Sequence, residues 1–346
     1  MNLNEQQLAR IAEQSFLITG GAGFIGSHIT EWLLKMGAKK VRVIDNFANG
    51  SRQNVDIFER YANYEFWEGD IRNAEFCMAA TEGINAVSHQ AALGSVPRSI
   101  NDPATTNEVN VTGFLNVLNA CRKQNIQRFV FASSSSVYGS DANLPKKEKR
   151  VGNPLSPYAV TKVSNEHYAR VFGSVYGMET IGLRYFNVFG PRQNPHVAYA
   201  AVVPLFVEGL IHGTPIYIHG NGDQTRDFTF VQNAAYANLL ALTTNNSKAF
   251  NEVYNVAVGE RYSILRLYKT VAQHLGSQQL PTFLPPRQGD IADSHADISK
   301  ARRLLNYQPQ VRFEEGVART IAYFEEQQAA INQTESQAPS AYHQEK

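Results

Sequence analysis

A glycine-rich turn between an apolar strand and a helix is the feature that most constrains how this chain folds. The turn, residues 20–26 (GGAGFIG), follows the apolar run 16–19 and opens a stretch to residue 36 with helical spacing. Glycine at positions 20, 23 and 26 lets the backbone bend tightly and lets a pyrophosphate approach the helix N-terminus. The turn therefore predicts a dinucleotide site, and its candidate residues are Gly20, Gly23, Phe24, Ile25 and Gly26.

Strand-like and helix-like segments alternate through the first half of the chain. Residues 157–183 predict one long helix and a further strand of the same sheet. This order is typical of an α/β fold, a Rossmann-type doubly wound parallel sheet with a smaller C-terminal α/β substrate lobe. The other predicted strands are 41–44, 64–66, 86–88 and 128–132, and the other predicted helices are 74–81 and 103–124.

The pattern divides the chain into four parts. Residues 1–15 predict an N-terminal extension and residues 16–190 the dinucleotide-binding domain. Residues 191–330 predict a substrate-binding lobe that is interleaved with the first domain. Residues 331–346 are polar and without periodicity, so we expect a flexible tail there.

Composition excludes several classes of function. With 346 residues, 43% of them hydrophobic, and a net charge of +1, the chain has no bulk electrostatic reason to bind nucleic acid or a membrane surface. No apolar run approaches the roughly 20 residues that span a bilayer, and we expect a cytoplasmic protein. Cys77 and Cys121 fall in predicted helices and are expected to be buried thiols. No CxxC or HExxH spacing occurs, so no metal site is expected.

Polar and small residues follow the next predicted strands. Asp45 ends the second strand, nineteen residues after Gly26, where a carboxylate can accept hydrogen bonds from the adenosine ribose. It would repel a 2′-phosphate, which favours NAD over NADP, although Arg52 lies nearby. Asp70 is a candidate for the adenine amino group and Ile71 for packing on its ring. Loop structure alone would explain these residues about as well, and the same holds for Gln90, Ala91 and Ala92 after the fourth strand.

A YxxxK spacing in a helical stretch supplies a candidate base. Tyr158 and Lys162 lie four residues apart, on one face of a helix. The charge of Lys162 is expected to lower the pKa of Tyr158 and to make a phenolate base accessible. The serine run 133–136 follows an apolar strand, and a hydroxyl there can bind the reacting oxygen; the alternative is a loop of helix-capping serines.

With the glycine turn, the serine run and YxxxK in this order, the chain resembles the extended short-chain dehydrogenase/reductases over residues 16–324. Within that superfamily it looks most like the UDP-hexose 4-epimerases. The resemblance implies bound NAD, a UDP-sugar substrate, a homodimer and a cytoplasmic role in polysaccharide biosynthesis. Two helices per subunit, 104–124 and the one after residue 158, would form the dimer.

The resemblance also implies roles for individual residues. Tyr158 is the base that takes the proton of the C4 hydroxyl, Ser134 binds the same oxygen, and Lys162 holds the nicotinamide ribose. Hydride leaves C4 and returns to the other face of a 4-keto intermediate, so NAD is regenerated. The implied cofactor contacts are Asn46, Asn49, Gly50, Asn110 and Phe186. The implied substrate contacts are Ser135, Ser136, Asn187, Tyr217, Arg226, Arg287 and Asp290.

Two runs, 94–100 and 198–204, resemble bacterial epimerases that prefer N-acetylated UDP-hexosamines. Ser294 stands where epimerases restricted to non-acetylated sugars carry tyrosine, and a small side chain there leaves volume for an acetamido group. The residues of this prediction are Gly94, Ser95, Gln193, Ala201, Val202 and Val203.

Other activities on the same fold stay open. The pair 196–197 (HV) departs from the acetyl-specific pattern. Extra positive charge from Arg98 or Arg192 would favour an epimerase of UDP-hexuronic acids or a decarboxylase. A dehydratase would need a carboxylate after Ser134, where Ser135 and Ser136 stand. A non-catalytic NAD-binding protein would be expected to lose the tyrosine or the lysine of YxxxK.

Overall fold

A seven-stranded parallel sheet forms the centre of the protein, whose computed structural model describes residues 1–195, 201–286 and 293–337. The strand order is β11-β6-β5-β4-β1-β2-β3, and every neighbouring pair is parallel. The chain order reverses between β1 and β4, which confirms the predicted doubly wound sheet. The strands are β1 Ser15–Thr19, β2 Lys40–Asp45, β3 Tyr64–Glu68, β4 Ala86–His89, β5 Arg128–Ser134, β6 Glu179–Tyr185, β7 Val188–Phe189, β8 Tyr217–His219, β9 Thr225–Arg226, β10 Thr229–Phe230, β11 Glu252–Val256, β12 Tyr262–Ser263 and β13 Thr282–Leu284.

Helices cover both faces of this sheet. Local sequence signals fix several ends: Asn73 caps the N-terminus of α4, Ser156 precedes a proline at the start of α8, and Gly177 ends α8 in the left-handed conformation. The helices are α1 Glu5–Glu13, α2 Phe24–Lys35, α3 Gln53–Asp56, α4 Ala74–Ala80, α5 Val96–Asn101, α6 Pro103–Asn107, α7 Phe114–Lys123, α8 Pro157–Tyr176, α9 Val202–His212, α10 Val231–Thr243, α11 Ile264–His274, α12 Ser299–Leu305 and α13 Phe313–Gln337. Short 3₁₀ turns cover Ser135–Tyr138 and Ser247–Ala249.

Two apolar layers hold the sheet. On one face, Ile29 and Leu33 of α2 pack with Leu240 of α10. On the other face, Val117 of α7 and Phe172 of α8 belong to the opposite layer. All five residues of β1 are buried because this strand lies between both layers and has a neighbour on each side.

The predicted helix 103–124 is interrupted by a π-helical turn. Glu108–Gly113 adopts this wider geometry between α6 and α7. A Cβ on Gly113 would come within 2.6 Å of the Ile71 side chain, so the turn packs closely against the end of β3. Such turns change which face of a helix a side chain occupies, and the sequence pattern did not predict this one.

The segment after residue 190 contributes to both lobes. Its strand β11 pairs with β6 at the edge of the central sheet, and its helix α10 packs against α2. A separate apolar cluster forms where α9, α11 and α13 meet, with Val207, Val271 and Val317 fully buried in it. The second lobe therefore shares one sheet with the first.

Residues 1–15, predicted to form an N-terminal extension, include a helix that packs against the rest of the protein. Helix α1 packs against α10, and Ile11 is fully buried. Arg10 donates hydrogen bonds to the carbonyl oxygens of Thr243 and Thr244 at the C-terminal end of α10. At the other end of the chain, α13 continues to Gln337, so residues 331–337 are helical where the sequence predicted a tail. Within the described residues, no helix is both long and apolar enough to cross a bilayer.

The burial of Ile11 gives a stability prediction. Ile11→Ala is expected to lower the free energy of unfolding by roughly 2–5 kcal/mol, because it leaves a cavity under α1. Leu8→Ala, at a residue 39% exposed on the same helix, is expected to change it by about 0.5 kcal/mol or less. Urea unfolding measures both values. Equal effects of the two substitutions would show that α1 is not docked as described.

Candidate active site

The glycine turn is shaped by a close approach of backbones. Gly20 has a φ of +69°, and a Cβ there would lie 2.6 Å from the amide nitrogen of Ala91. A Cβ on Gly26 would collide with the carbonyl oxygen of Gly20. The absence of these side chains brings the start of α2 against the end of β1, with its free amide groups facing a cavity.

This cavity has a volume of about 690 Å³ and lies at the carboxyl ends of β1, β2, β4, β5 and β6. In open α/β sheets this edge is where ligands bind. Every residue predicted to contact the cofactor lines the cavity except Asn110 and Phe186. The cradle of small residues and the carboxylate at its far end fit a dinucleotide.

Asp45 closes the glycine turn from the end of β2. Its carboxylate accepts hydrogen bonds from the amide of Ala22 at 3.0 Å and of Phe47 at 2.8 Å. Burial raises the pKa of Asp45 above its usual value. Arg52, the nearby cation, is paired with Glu68 at 2.7 Å. This arrangement agrees with NAD as the cofactor.

Asn110 and Phe186 face other parts of the protein. The Asn110 side chain, within the π-helical turn, bonds to both backbone groups of Leu93 and to the Thr161 hydroxyl. It therefore holds the loop after β4 against α8. The Phe186 ring is fully buried and packs against Tyr138. Neither side chain lines the cavity as the described residues form it, so the cofactor contact of these two residues stays a prediction.

The predicted catalytic residues meet where β5 ends and α8 begins. Tyr158 lies in the first turn of α8, near the Ser134 hydroxyl at the end of β5. The Lys162 ammonium donates to the carbonyl oxygen of Ala132 at 2.9 Å and lies 5.8 Å from the centre of the Tyr158 ring. Tyr158 and Lys162 line one wall of the cavity beside Ser133, whereas the lining that the described residues form does not include Ser134, Ser135 or Ser136.

The electrostatics of this wall differ from the sequence prediction. Burial raises the pKa of Tyr158, and the nearby Ser134 hydroxyl only partly opposes this rise. Burial also lowers the pKa of Lys162 to about 8, against the opposing charge of Glu166. The predicted lowering of the Tyr158 pKa by Lys162 is therefore wrong for the protein alone, because loss of solvent outweighs the nearby charge.

A second cavity of about 650 Å³ adjoins the first, and Pro195 and Glu208 line both. Four predicted substrate residues line this second cavity: Asn187, Val202, Tyr217 and Arg226. Another four line the first: Gly94, Ser95, Gln193 and Ala201. Val203 is in the apolar core of the second lobe, so its side chain is a packing residue. Arg287, Asp290 and the pair 196–197 lie outside the described residues.

The serines and Ser294 take distinct positions. Ser134 ends β5, and Ser135 and Ser136 lie in the 3₁₀ turn that follows it. Ser294 is buried, and its amide donates to the carbonyl oxygen of Thr225 at 3.0 Å, next to the second cavity. In the part of the chain that the structure describes, the Ser294 side chain lines neither cavity.

Sequence reasoning missed a buried carboxylate that holds the Ser294 segment. Asp227 is fully buried and accepts hydrogen bonds from the amides of Val258, Gly259 and Ala296 at 3.0, 3.1 and 3.2 Å. Burial raises its pKa to about 7 in spite of these bonds. An aspartate inside the run 225–230 (TRDFTF) was the signal, because an acidic residue directly before two alternate phenylalanines is expected to be buried with backbone donors around it.

The comparisons with known proteins agree with this geometry. The sequence model of the NAD dependent epimerase/dehydratase family matches residues 16–257. A UDP-glucose 4-epimerase of Mycolicibacterium smegmatis is 36% identical over 310 residues, which are 89% of this chain and 97% of that protein.

Two solved structures are also similar. The UDP-N-acetylglucosamine 4-epimerase from Methanobrevibacter ruminantium M1, in complex with UDP-N-acetylmuramic acid, is 38% identical with a TM-score of 0.86, covering 91% of this chain and 99% of that one. The UDP-glucuronic acid 4-epimerase from Bacillus cereus, in complex with UDP-glucuronic acid and NAD, is 32% identical with a TM-score of 0.84, covering 90% and 99%. The three relatives carry the names of three different UDP-sugar substrates.

A hydrogen bond across the first cavity gives a prediction about cofactor retention. Arg98 of α5 donates to the Asn49 side chain at 2.8 Å, and both residues line the cavity. Arg98→Ala is expected to speed the loss of bound NAD about tenfold, since it removes one charge-assisted bond between the two walls. Arg52→Ala is the control because Arg52 pairs with Glu68 instead. An enzymatic assay of the NAD that stays with the protein after gel filtration measures release, and equal rates in both variants would contradict the prediction.

Proposed function

Because the chain belongs to the NAD-dependent epimerase/dehydratase family, we propose that it interconverts UDP-N-acetylglucosamine and UDP-N-acetylgalactosamine by inversion at C4. That it is an NAD-dependent UDP-sugar 4-epimerase follows from its relatives; the acetylated sugar is the proposal. The observation that carries it is Ser294, a small residue in the segment beside the second cavity. We also propose, on the resemblance alone, a cytoplasmic role in polysaccharide precursor synthesis.

The small size of Ser294, in a segment beside the second cavity, supports room for an acetamido group, although its side chain lines neither cavity as the described residues form them. The segment that bears it is fixed by its amide bond to Thr225, by Asp227, and by a bridge between Ala296 and Lys146. A segment held at three points keeps the residue at position 294 in place. A tyrosine there would add a ring to that position, whereas serine adds one hydroxyl.

Tyr158, Ser134 and Lys162 have different roles in the proton transfer. NAD, which the glycine turn, Asp45 and Lys162 would hold, would supply the hydride acceptor and donor for C4 and the positive charge of its oxidised nicotinamide. That charge favours the phenolate of Tyr158, whose pKa burial otherwise raises. Tyr158 then takes the proton of the C4 hydroxyl and later gives it back. Ser134, near Tyr158, orients the same oxygen, and Lys162 remains largely cationic at neutral pH because its pKa is about 8.

An epimerase of UDP-hexuronic acids is the second candidate, favoured by the similarity to the Bacillus cereus enzyme. A uronate carboxylate needs a cation in the sugar pocket. Arg192 is paired with Glu31 of α2, and Arg98 is bonded to Asn49 of the cofactor loop. Both arginines are engaged on the cofactor side, which weighs against this candidate and against a decarboxylase.

Product analysis with a panel of UDP-sugars tests the proposal. Purified protein is expected to convert UDP-N-acetylglucosamine to UDP-N-acetylgalactosamine without an added reductant. Ser294→Tyr is expected to lower kcat/KM on the acetylated sugar by roughly tenfold or more, and to spare UDP-glucose, because the ring excludes only the larger substituent. Tyr158→Phe is the inactive control. Conversion of UDP-glucuronate alone, or equal loss on every sugar in the tyrosine variant, would contradict the proposal.

We further propose a homodimer formed through α8 and its neighbours. Apolar side chains at helical spacing are exposed along one face of α8, among them Val160, Val171 and Val175, at 51%, 51% and 63%. An apolar stripe of this kind is typical of an interface between copies.

The stripe gives a prediction about oligomeric state. Val171→Glu is expected to shift the protein from dimer to monomer without unfolding it, because the glutamate would be buried at the interface but solvated on the free surface. Ile57→Glu, at a similarly exposed apolar residue, is expected to leave the dimer intact. Light scattering after gel filtration measures the mass. A monomeric wild-type protein would overturn the proposal.

A further inference from the structure

One face of α2 joins the cofactor cavity to the first loop of the second lobe. Phe24, His28 and Glu31 are spaced four and three residues apart, so they lie on the same side of the helix. Phe24 lines the cofactor cavity, and its ring meets the His28 ring edge to face, with 6.0 Å between the two centres. At the far end of this face, Glu31 forms an ion pair with Arg192 of the loop 190–195.

This loop is a wall of both cavities. Arg192, Gln193 and Asn194 line the cofactor cavity. Pro195, the next residue, lines the cofactor cavity and the second cavity. Predicted substrate residues, Arg226 among them, line the second cavity as well. A change in the place of the loop therefore alters both cavities at once.

We propose that Arg192 is a positioning residue, which fastens this loop to the cofactor helix so that bound NAD and a bound UDP-sugar strengthen each other's binding. The inference rests on the family assignment, which supplies NAD and a UDP-sugar, and not on the acetyl group of the sugar. It gives a function to Glu31, which lines neither cavity in the described part of the chain.

Two side chains of α2 hold the loop. The His28 imidazole donates a hydrogen bond from Nε2 to the carbonyl oxygen of Pro191 at 3.0 Å. Burial lowers the pKa of His28 to about 3, so this imidazole brings no charge beside Arg192. The Glu31 carboxylate accepts a hydrogen bond from Nη2 of Arg192 and another from the Lys35 ammonium at 2.5 Å.

The pair between Arg192 and Glu31 is charged and largely sheltered from water. Their side chains are 12% and 21% exposed. Burial acts to raise the pKa of Glu31, but Arg192 and Lys35 together lower it below its usual value. Salt screens such a sheltered pair much less than a surface pair, and separating it would leave buried charge without a partner. The loop and the helix are therefore held together.

Arg192 has two features that cost free energy. Its φ of +66° lies in the left-handed region, which residues other than glycine rarely adopt. Its Nη1 atom is buried and, among the described residues, has no hydrogen-bond partner. Costs of this kind are typical of functional sites, where the surrounding structure maintains them. Here they accompany the contact that joins the loop to α2.

These contacts couple the two cavities. NAD held at the start of α2 would restrain that helix, and the helix in turn holds the loop in place for the ligand of the second cavity. Coupling between two ligands is reciprocal, so a ligand in the second cavity must tighten the binding of NAD by the same factor. UDP is the part that all UDP-sugars share, and it is the probe for this effect.

Equilibrium dialysis of the full-length protein against NAD, with and without saturating UDP, tests the inference. UDP is expected to lower the Kd of NAD about tenfold in the wild-type protein, a typical size for coupling between two sites. In Glu31→Ala the loop is released from α2, and UDP is expected to change the Kd by less than about twofold. The Kd without UDP is expected to change little in this variant, because Glu31 lines neither described cavity.

Matched variants separate the pair from its surroundings. Lys35→Ala is the control, since Lys35 pairs with the same carboxylate but belongs to α2 itself, and it is expected to keep the effect of UDP. Arg192→Ala is expected to lose the effect as Glu31→Ala does. Glu31→Ala/Arg192→Ala is expected to lose no more, because all three variants break one pair. The double variant leaves no buried charge of the pair unpaired, so it decides the outcome if a single variant does not fold.

Several results would overturn the inference. They are a wild-type Kd that UDP does not change, a full effect of UDP in Glu31→Ala or in the double variant, and an equal loss in Lys35→Ala. Weaker NAD binding without UDP in Arg192→Ala alone would show that Arg192 contacts the cofactor directly, which would overturn its positioning role. The dialysis contains no sugar, so conversion of a different UDP-sugar in the product analysis would contradict the proposed function and leave this inference standing.

Discussion

The close packing of the Gly20 turn against the end of β4 is the constraint on which the rest of the site depends. Gly20 leaves no space for a side chain beside Ala91, and Thr19 binds the backbone of the same strand end through its carbonyl and its hydroxyl. These contacts join β1 to β4 where the strand order reverses, and they aim the first turn of α2 at the cavity. The residues that line the cofactor cavity, the Tyr158 and Lys162 pair, and the second cavity are all arranged around that opening.

Helix α8 sets the catalytic wall from the other side. Its start is fixed by the Ser156 cap, and the four-residue spacing then places the Tyr158 phenol and the Lys162 ammonium in register with the end of β5. Burial acts on these two groups more strongly than the neighbouring charges do, so the phenol is harder to ionise than in water and the ammonium easier to neutralise.

Buried polar side chains link the neighbourhood of the catalytic residues to the segment that carries Ser294. Asn255 on β11 is fully buried; it accepts a hydrogen bond from Tyr138 at 2.5 Å and donates to the carbonyl oxygens of Lys146 and Asp297 at 2.9 Å. Asp227 holds the same segment from the second lobe. Because β11 comes from the second half of the chain and pairs in the first half's sheet, the two lobes position the substrate as one unit.

The sequence by itself determined the fold class, the glycine turn and the YxxxK row, because each depends on local spacing: alternating apolar segments, glycine at three positions, and residues four apart on one helix. Tertiary structure decided the rest, since it depends on segments far apart in the chain. The π-helical turn directs Asn110 to Leu93, and Glu31 of α2 takes up the charge of Arg192. The pKa of Tyr158 is raised because strands and helices far apart in the sequence bury its phenol, and no local sequence pattern predicts that burial.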